Sequence, residues 1–121
     1  MDVKFSIVFH EDGKRFFGEG PYLLLLGIEK YGSLKASAED IGMAYTKAIT
    51  LIKRAEKFLG FPLTQRSIGG VGGGGSTLTR KAREFIKIYE TYQQTTQKMA
   101  EELYHEFFSE FWEKESLDHR K

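Results

Sequence analysis

The sequence has no cysteine among its 121 residues. Disulfide staples and thiolate metal sites are therefore excluded, and the usage fits a protein of the reducing cytoplasm. Nor is there a long apolar run. The longest, "YLLLLGI" at 22–28, falls far short of the roughly 20 residues needed to cross a bilayer, so no membrane is expected as a partner. The opening "MDVKFSIVFHEDGK" lacks the basic segment and apolar core of a secretion signal. An excess of one charge is missing too. Eighteen Lys and Arg face 17 Asp and Glu, a net charge of +1, and that average points to no partner. His10, His105 and His119 share no metal-ligand spacing, and no nucleophile stands at a fixed spacing from a base. No catalytic residue, metal site or cofactor is therefore assigned, and an enzyme is not expected.

What remains is a chain long enough for one core, 40% apolar and 29% charged, ordinary for a globular domain. The distribution of charge says more than its sum. Lys47, Lys53, Arg54, Lys57, Arg66, Arg80, Lys81 and Arg83 stand against Glu56 alone, whereas the stretch after Glu101 is rich in glutamate. A basic middle of this kind suits a polyanion.

Periodicity and punctuation divide the chain. Phe5, Ile7 and Phe9 alternate with Lys4, Ser6 and His10, broken only by Val8, and Asp12-Gly13 separates them from "KRFF"; strands near 4–10 and 14–17 joined as a hairpin are predicted. Pro21 and Gly32 bracket a helix near 20–31, with Leu24, Leu25, Ile28 and Tyr31 on its inner face. Ser33 and Gly42 bracket a short helix with Leu34, Ala38 and Ile41 inward. A third helix carries the stripe Ala48, Ile52, Ala55, Leu59, and its opposite face carries Tyr45, Thr46, Thr50, Lys53 and Lys57. Leu63–Ser67 and Ser76–Leu78 read as extended, and a long helix begins at Thr79. Its stripe of Ala82, Phe85, Ile88 or Tyr89, Tyr92, Thr96, Met99, Leu103 and Phe107 outruns so small a core, so its far end needs a partner.

The stretch "RSIGGVGGGGSTLTRK" at 66–81 places six glycines within seven positions. A Walker-type phosphate loop would need a lysine directly before the Ser, and glycine stands there. A plain linker would need a second domain beyond it. A wing accounts for more: two strands with a glycine tip, following a short helix, a turn and an amphipathic helix. Backbone amides at such a tip can approach phosphates closely, and the flanking Arg66 and Arg80 would add charge-assisted contacts. The N-terminal part of the second helix of such a unit enters the DNA major groove.

"SLKASAEDIGMAYTKAITLIKRAEKFLGFPLTQR" resembles the LysR-type helix-turn-helix pattern leading into "LG-x-PL-x-x-R", and the following "GGVGGGGSTLTRKA" is similar to the wing of the DNA-binding domain of the ModE family of molybdate-responsive regulators. The resemblance covers roughly residues 4–95, and the glycine wing is its most specific part. It implies a mainly α fold with a small β component: a winged helix-turn-helix with an N-terminal β-hairpin and a long C-terminal dimerisation helix. Residues 1–78 would form the DNA-binding domain, and 79–121 the dimerisation helix and tail. It implies double-stranded DNA as the partner of a homodimer. Tyr45, Thr46, Lys47 and Thr50 would fall at the groove-facing start of the recognition helix, with Lys53 further along its groove side. Arg66, Gly69, Gly70, Gly72, Gly73, Gly74 and Gly75 would form the wing, with Arg80 at its flank. Phe85, Tyr89, Tyr92, Met99, Leu103 and Phe107 would form the subunit interface, and the aromatics Phe107, Phe108, Phe111 and Trp112 would add to the dimer core. Glu101, Glu102, Glu106 and Glu110 would form a wet face.

Three departures qualify the match. Ala44 stands where the family has a serine cap, and Val71 where the wing has a lysine. The chain stops at Lys121, where the family's oxyanion-binding domains would begin, so molybdate sensing is not carried over. A metal response would have to come from a separate oxyanion-binding protein docking on Glu101–Trp112, or be absent. The rival reading is a protein-interaction adaptor that uses the winged-helix scaffold and the aromatic C-terminal helix. The basic recognition face argues against it.

Overall fold

The computed structural model describes residues 3–67 and 75–119, with side chains through Glu115. The elements run β1 (Phe9–Glu11), β2 (Lys14–Phe17), α1 (Glu19–Tyr31), α2 (Leu34–Asp40), α3 (Tyr45–Leu59), β3 (Thr64–Ser67), β4 (Gly75–Leu78) and α4 (Arg80–His119). This is the mainly α winged helix-turn-helix with two small antiparallel hairpins. It divides into two compact units, Ile7–Ile88 and Met1–Ser6 with Tyr89–Lys121. The first turns of α4 thus belong with the winged helix. No helix among the described residues is long and apolar enough to cross a membrane.

The first hairpin turns at Asp12 and Gly13, both with positive φ (51° and 74°). Two successive left-handed residues make the type I′ turn that matches strand twist, which is why Asp-Gly works there. The ladder pairs Phe9 with Phe17 but His10 with Arg15, a bulge that leaves Phe16 unpaired. Phe17 is buried and meets Phe85 edge-on at 4.7 Å, while Phe16 stacks on Phe58 of α3 at 5.4 Å. The extra residue therefore lets consecutive aromatics anchor the hairpin at two places. The predicted first strand is longer than the real one, since residues 3–8 are not in a strand. β2 ends at Phe17 and α1 starts at Glu19, so no second strand is left for them to pair with.

In α1, Leu24, Leu25 and Ile28 are buried as the periodicity requires, but Tyr31 is exposed and donates to Asp40 Oδ1 at 3.0 Å. Ser33 caps α2 by accepting from the Ala36 N–H at 3.0 Å. The closest approach of α1 and α2 falls at Gly27 and Ser37. Ser37 is completely buried, and its hydroxyl donates to the Leu24 carbonyl at 2.7 Å. A Cβ at Gly27 would lie 2.0 Å from Ser37 Oγ and 2.7 Å from its Cβ. Ala48, Ile52 and Ala55 of α3 are buried beside them, with Leu59 half-buried.

Past α3 the chain is tied at one point. Glu56 accepts the Leu63 N–H at 2.8 Å, the Leu63 carbonyl accepts the Thr79 N–H at 3.0 Å, and Thr79 Oγ1 donates to the Pro62 carbonyl at 2.7 Å while capping α4 through the Ala82 N–H at 3.1 Å. Leu63 and Leu78 are buried beneath this knot. β3 and β4 pair in regular antiparallel register from Thr64–Leu78 out to Ser67–Gly75. The Ser76 N–H donates to the Gly32 carbonyl at the end of α1, 2.7 Å.

Of the six residues expected at a subunit interface, two are covered within the chain. Phe85 packs against Phe9 and Phe17, and Tyr89 is 1% exposed. Tyr92, Met99, Leu103 and Phe107 are exposed, Phe107 by 70%. Helical periodicity places all six on one stripe and does not say where the chain's own core stops using it.

Replacing Gly27 by alanine forces α1 and α2 apart against the Ser37 backbone. Overpacking of this kind costs roughly 1–3 kcal/mol, so Gly27→Ala is expected to lower the urea midpoint at unchanged m-value. A midpoint equal to wild type would show that the two helices separate freely.

Candidate nucleic-acid interface

The turn at Gly42–Met43, closed by the Met43 N–H on the Ala38 carbonyl at 2.8 Å, delivers the chain into α3 with Ala44 as its cap. Ala44 has extended backbone angles suited to a cap but offers no side-chain acceptor. Because Ala48, Ile52 and Ala55 fill the core, the opposite side of the helix is left in water. Tyr45, Thr46, Lys47, Thr50 and Lys53 are all exposed there. Thr50 Oγ1 donates to the Thr46 carbonyl at 3.0 Å. Its hydroxyl proton is used, so toward a ligand Thr50 presents a methyl group and lone pairs, which suits a thymine methyl or an exocyclic amine.

On the wing, Arg66 is exposed in β3 opposite Ser76. Gly69, Gly70, Gly72, Gly73 and Gly74 lie outside the described residues. Gly75 pairs with Ser67 at the outer end of the ladder. A Cβ there would come within 3.2 Å of the Gly32 carbonyl and 3.1 Å of Ser67 Cβ, so this glycine serves the closing of the hairpin. Arg80 stands in the first turn of α4, 3.5 Å from Glu84, an exposed pair of the kind worth little. Lys47, Lys53 and Arg66 have no ion-pair partner among the described residues.

Sequence reasoning gave no DNA role to Lys14 and Arg15 and did not join them to Arg54 and Lys57. Lys14, Arg15, Arg54 and Lys57 join Thr50, Lys53 and Phe58 around an open groove of about 710 Å³ between the first hairpin and α3. Arg54 and Lys57 were visible as basic residues of the middle segment, but nothing in the pattern announces that β2 lies beside α3. The Phe16–Phe58 stack is one contact that puts it there.

No family model matches the chain. Curated relatives do. The DNA-binding transcriptional dual regulator ModE of Escherichia coli K12 is 36% identical over 75 residues, 62% of this chain and 29% of the relative. Transcriptional regulator ModE of Haemophilus influenzae is 31% identical over 72 residues, 60% of this chain and 28% of the relative. The molybdenum-pterin-binding protein MopB of Rhodobacter capsulatus is 30% identical over 84 residues, 69% of this chain and 31% of the relative. The chain matches under a third of the length of these relatives.

The uncapped start of α3 gives a direct test. Serine at position 44 can accept an N–H of the first turn, so Ala44→Ser is expected to add about 1 kcal/mol and to raise Tm by several degrees in a thermal melt followed by circular dichroism. An unchanged Tm would mean those amides already have acceptors.

Proposed function

We propose that, over its winged-helix part, the chain is a regulator of the ModE type, like the relatives it resembles, and that it is a non-catalytic, cytoplasmic DNA-binding protein. The start of α3 reads the major groove and the β3–β4 hairpin holds the adjacent backbone. The observation that carries this reading is the face of α3 opposite the core: Tyr45, Thr46, Lys47, Thr50 and Lys53 exposed together, with lysines that have no ion-pair partner among the described residues. Such a face suits phosphates at its margins and base edges at its centre. The names of several relatives mention molybdenum, and a role in molybdate or tungstate metabolism is part of the proposal.

The reading includes a homodimer. Tyr92, Met99, Leu103, Phe107 and Phe111 are exposed on α4 at spacings of four to seven residues, an apolar seam of the sort a second helix covers. A two-fold axis through that seam predicts an inverted-repeat operator with half-sites about one helical turn, or a multiple, apart.

Two measurements test this. In a fluorescence titration against duplex DNA, Lys47→Ala with Arg66→Ala is expected to flatten the slope of log K against log salt by roughly two units, one per lost phosphate contact. An unchanged slope would reject those contacts. Added molybdate is expected to leave the wild-type affinity unchanged; a tenfold rise, about 1.4 kcal/mol of coupling, would assign anion sensing to this chain. For the dimer, Leu103→Glu with Phe107→Glu is expected to give a monomer by light scattering with the winged helix still folded. A dimer retained at micromolar concentration would place the subunit contact elsewhere.

A further inference from the structure

The groove between β2 and the later turns of α3 gathers cations from both of its walls. Its lining is Lys14 and Arg15 from the hairpin and Thr50, Lys53, Arg54, Lys57 and Phe58 from the helix, with no carboxylate among them. None of its five cations has an ion-pair partner among the described residues. Glu11 and Asp12 stand at the hairpin turn, outside the lining. Lys57 Nζ lies 5.9 Å from the Phe58 ring centre, and like charges gathered on two walls otherwise repel one another.

We propose that this groove is a second phosphate track for duplex DNA, carried by the N-terminal hairpin rather than by the wing. It rests on the DNA-binding reading above. Thr46, Thr50, Lys53 and Lys57 follow one another at helical spacings of four, three and four on α3, so the recognition start and the groove share one stripe. From Thr46 to Lys57 the helix rises roughly 16 Å. A major groove is about 12 Å wide, so a helix that inserts its first turns delivers its later turns to the flanking sugar-phosphate strand. There Lys14 and Arg15 form the opposite wall. The Phe16–Phe58 stack at 5.4 Å and the buried Phe17 hold β2 in place, so the two walls are set before DNA arrives. The occupant is a regularly charged strand and not a small anion, since the groove is wide and all five cations are exposed. Duplex DNA is favoured over duplex RNA because the deep, narrow RNA major groove does not admit the helix that leads into the track.

The test takes one cation from each wall of the full chain: Lys14→Gln with Lys57→Gln, titrated against a long mixed-sequence DNA duplex over a range of salt. Circular dichroism is expected to match wild type, and the log K–log salt slope is expected to be shallower by roughly two units. Removing two cations away from the groove, Lys30→Gln with Lys98→Gln, is expected to leave the slope unchanged. If the first pair loses its fold, Lys53→Gln with Lys57→Gln, both on the exposed side of α3, reads the same groove. An unchanged slope in the groove variant, with steep salt dependence in wild type and in parallel a loss on Lys47→Ala, overturns the track and leaves the DNA reading standing. Equal flattening by Lys30→Gln with Lys98→Gln, or equal loss of binding to polyglutamate, reduces the groove to general charge and overturns it as well. Wild type that binds no duplex removes the DNA reading and the track together.

Discussion

The packing of α1 on α2 at Gly27 and Ser37 sets where the recognition helix starts. A hydroxyl buried without a partner would cost about 1–3 kcal/mol, and the Leu24 carbonyl takes it up at 2.7 Å. That bond forms only because Gly27 has no Cβ. With α2 held this closely, Ala38 enters the core and the turn through Gly42 and Met43 is fixed. The direction of α3 follows, and with it the face on which Tyr45, Thr46, Lys47 and Thr50 stand. A recognition helix needs this rigidity, because base-edge hydrogen bonds tolerate little displacement.

A second constraint governs the wing. The two strands β3 and β4 are tied together where they meet the core. Glu56, Leu63, Pro62 and Thr79 exchange hydrogen bonds there, and the same Thr79 starts α4. Wing closure and helix initiation are thus one event. The Ser76 bond to Gly32 then ties the wing to the C-terminal end of α1. Reading helix, wing and the start of α4 are all referred to the same core, so a change of the core would reach each of them.

The exposed surface separates into two chemistries. On β2, α3 and β3 it gathers Lys14, Arg15, Lys47, Lys53, Arg54, Lys57 and Arg66, without ion-pair partners among the described residues. Along α4 beyond Tyr89 it mixes glutamates with exposed aromatics, Phe107, Phe108, Phe111 and Trp112. The first suits a polyanion held by electrostatics and weakened by salt, and the second suits a protein surface held by burial. The division of labour in the proposed function follows that line.

Much of this was legible in the sequence, because the signals concerned are local. Asp12-Gly13 specifies its turn by backbone conformation, Ser33 caps its helix with its own hydroxyl, and Ala48, Ile52 and Ala55 mark the inner face of α3 by spacing alone. The identities of the exposed residues at the start of α3 follow from that inner face. Local signals could not say that Phe85 and Tyr89 are consumed by the chain's own core while Tyr92 and Met99 are not, since both pairs obey the same period. Nor could they say that Ser37 is a core residue, or that residues 3–8 lack a strand to pair with. The basic groove was hidden for the same reason. Lys14 and Lys57 are far apart in sequence, and the stack of Phe16, freed by a bulge, on Phe58 is one contact that brings their walls together. Sequence determined the elements and their faces, because those depend on neighbours three or four residues away. Tertiary structure decided which faces remained free and which charges met, because that depends on contacts the chain makes only once it has closed on itself.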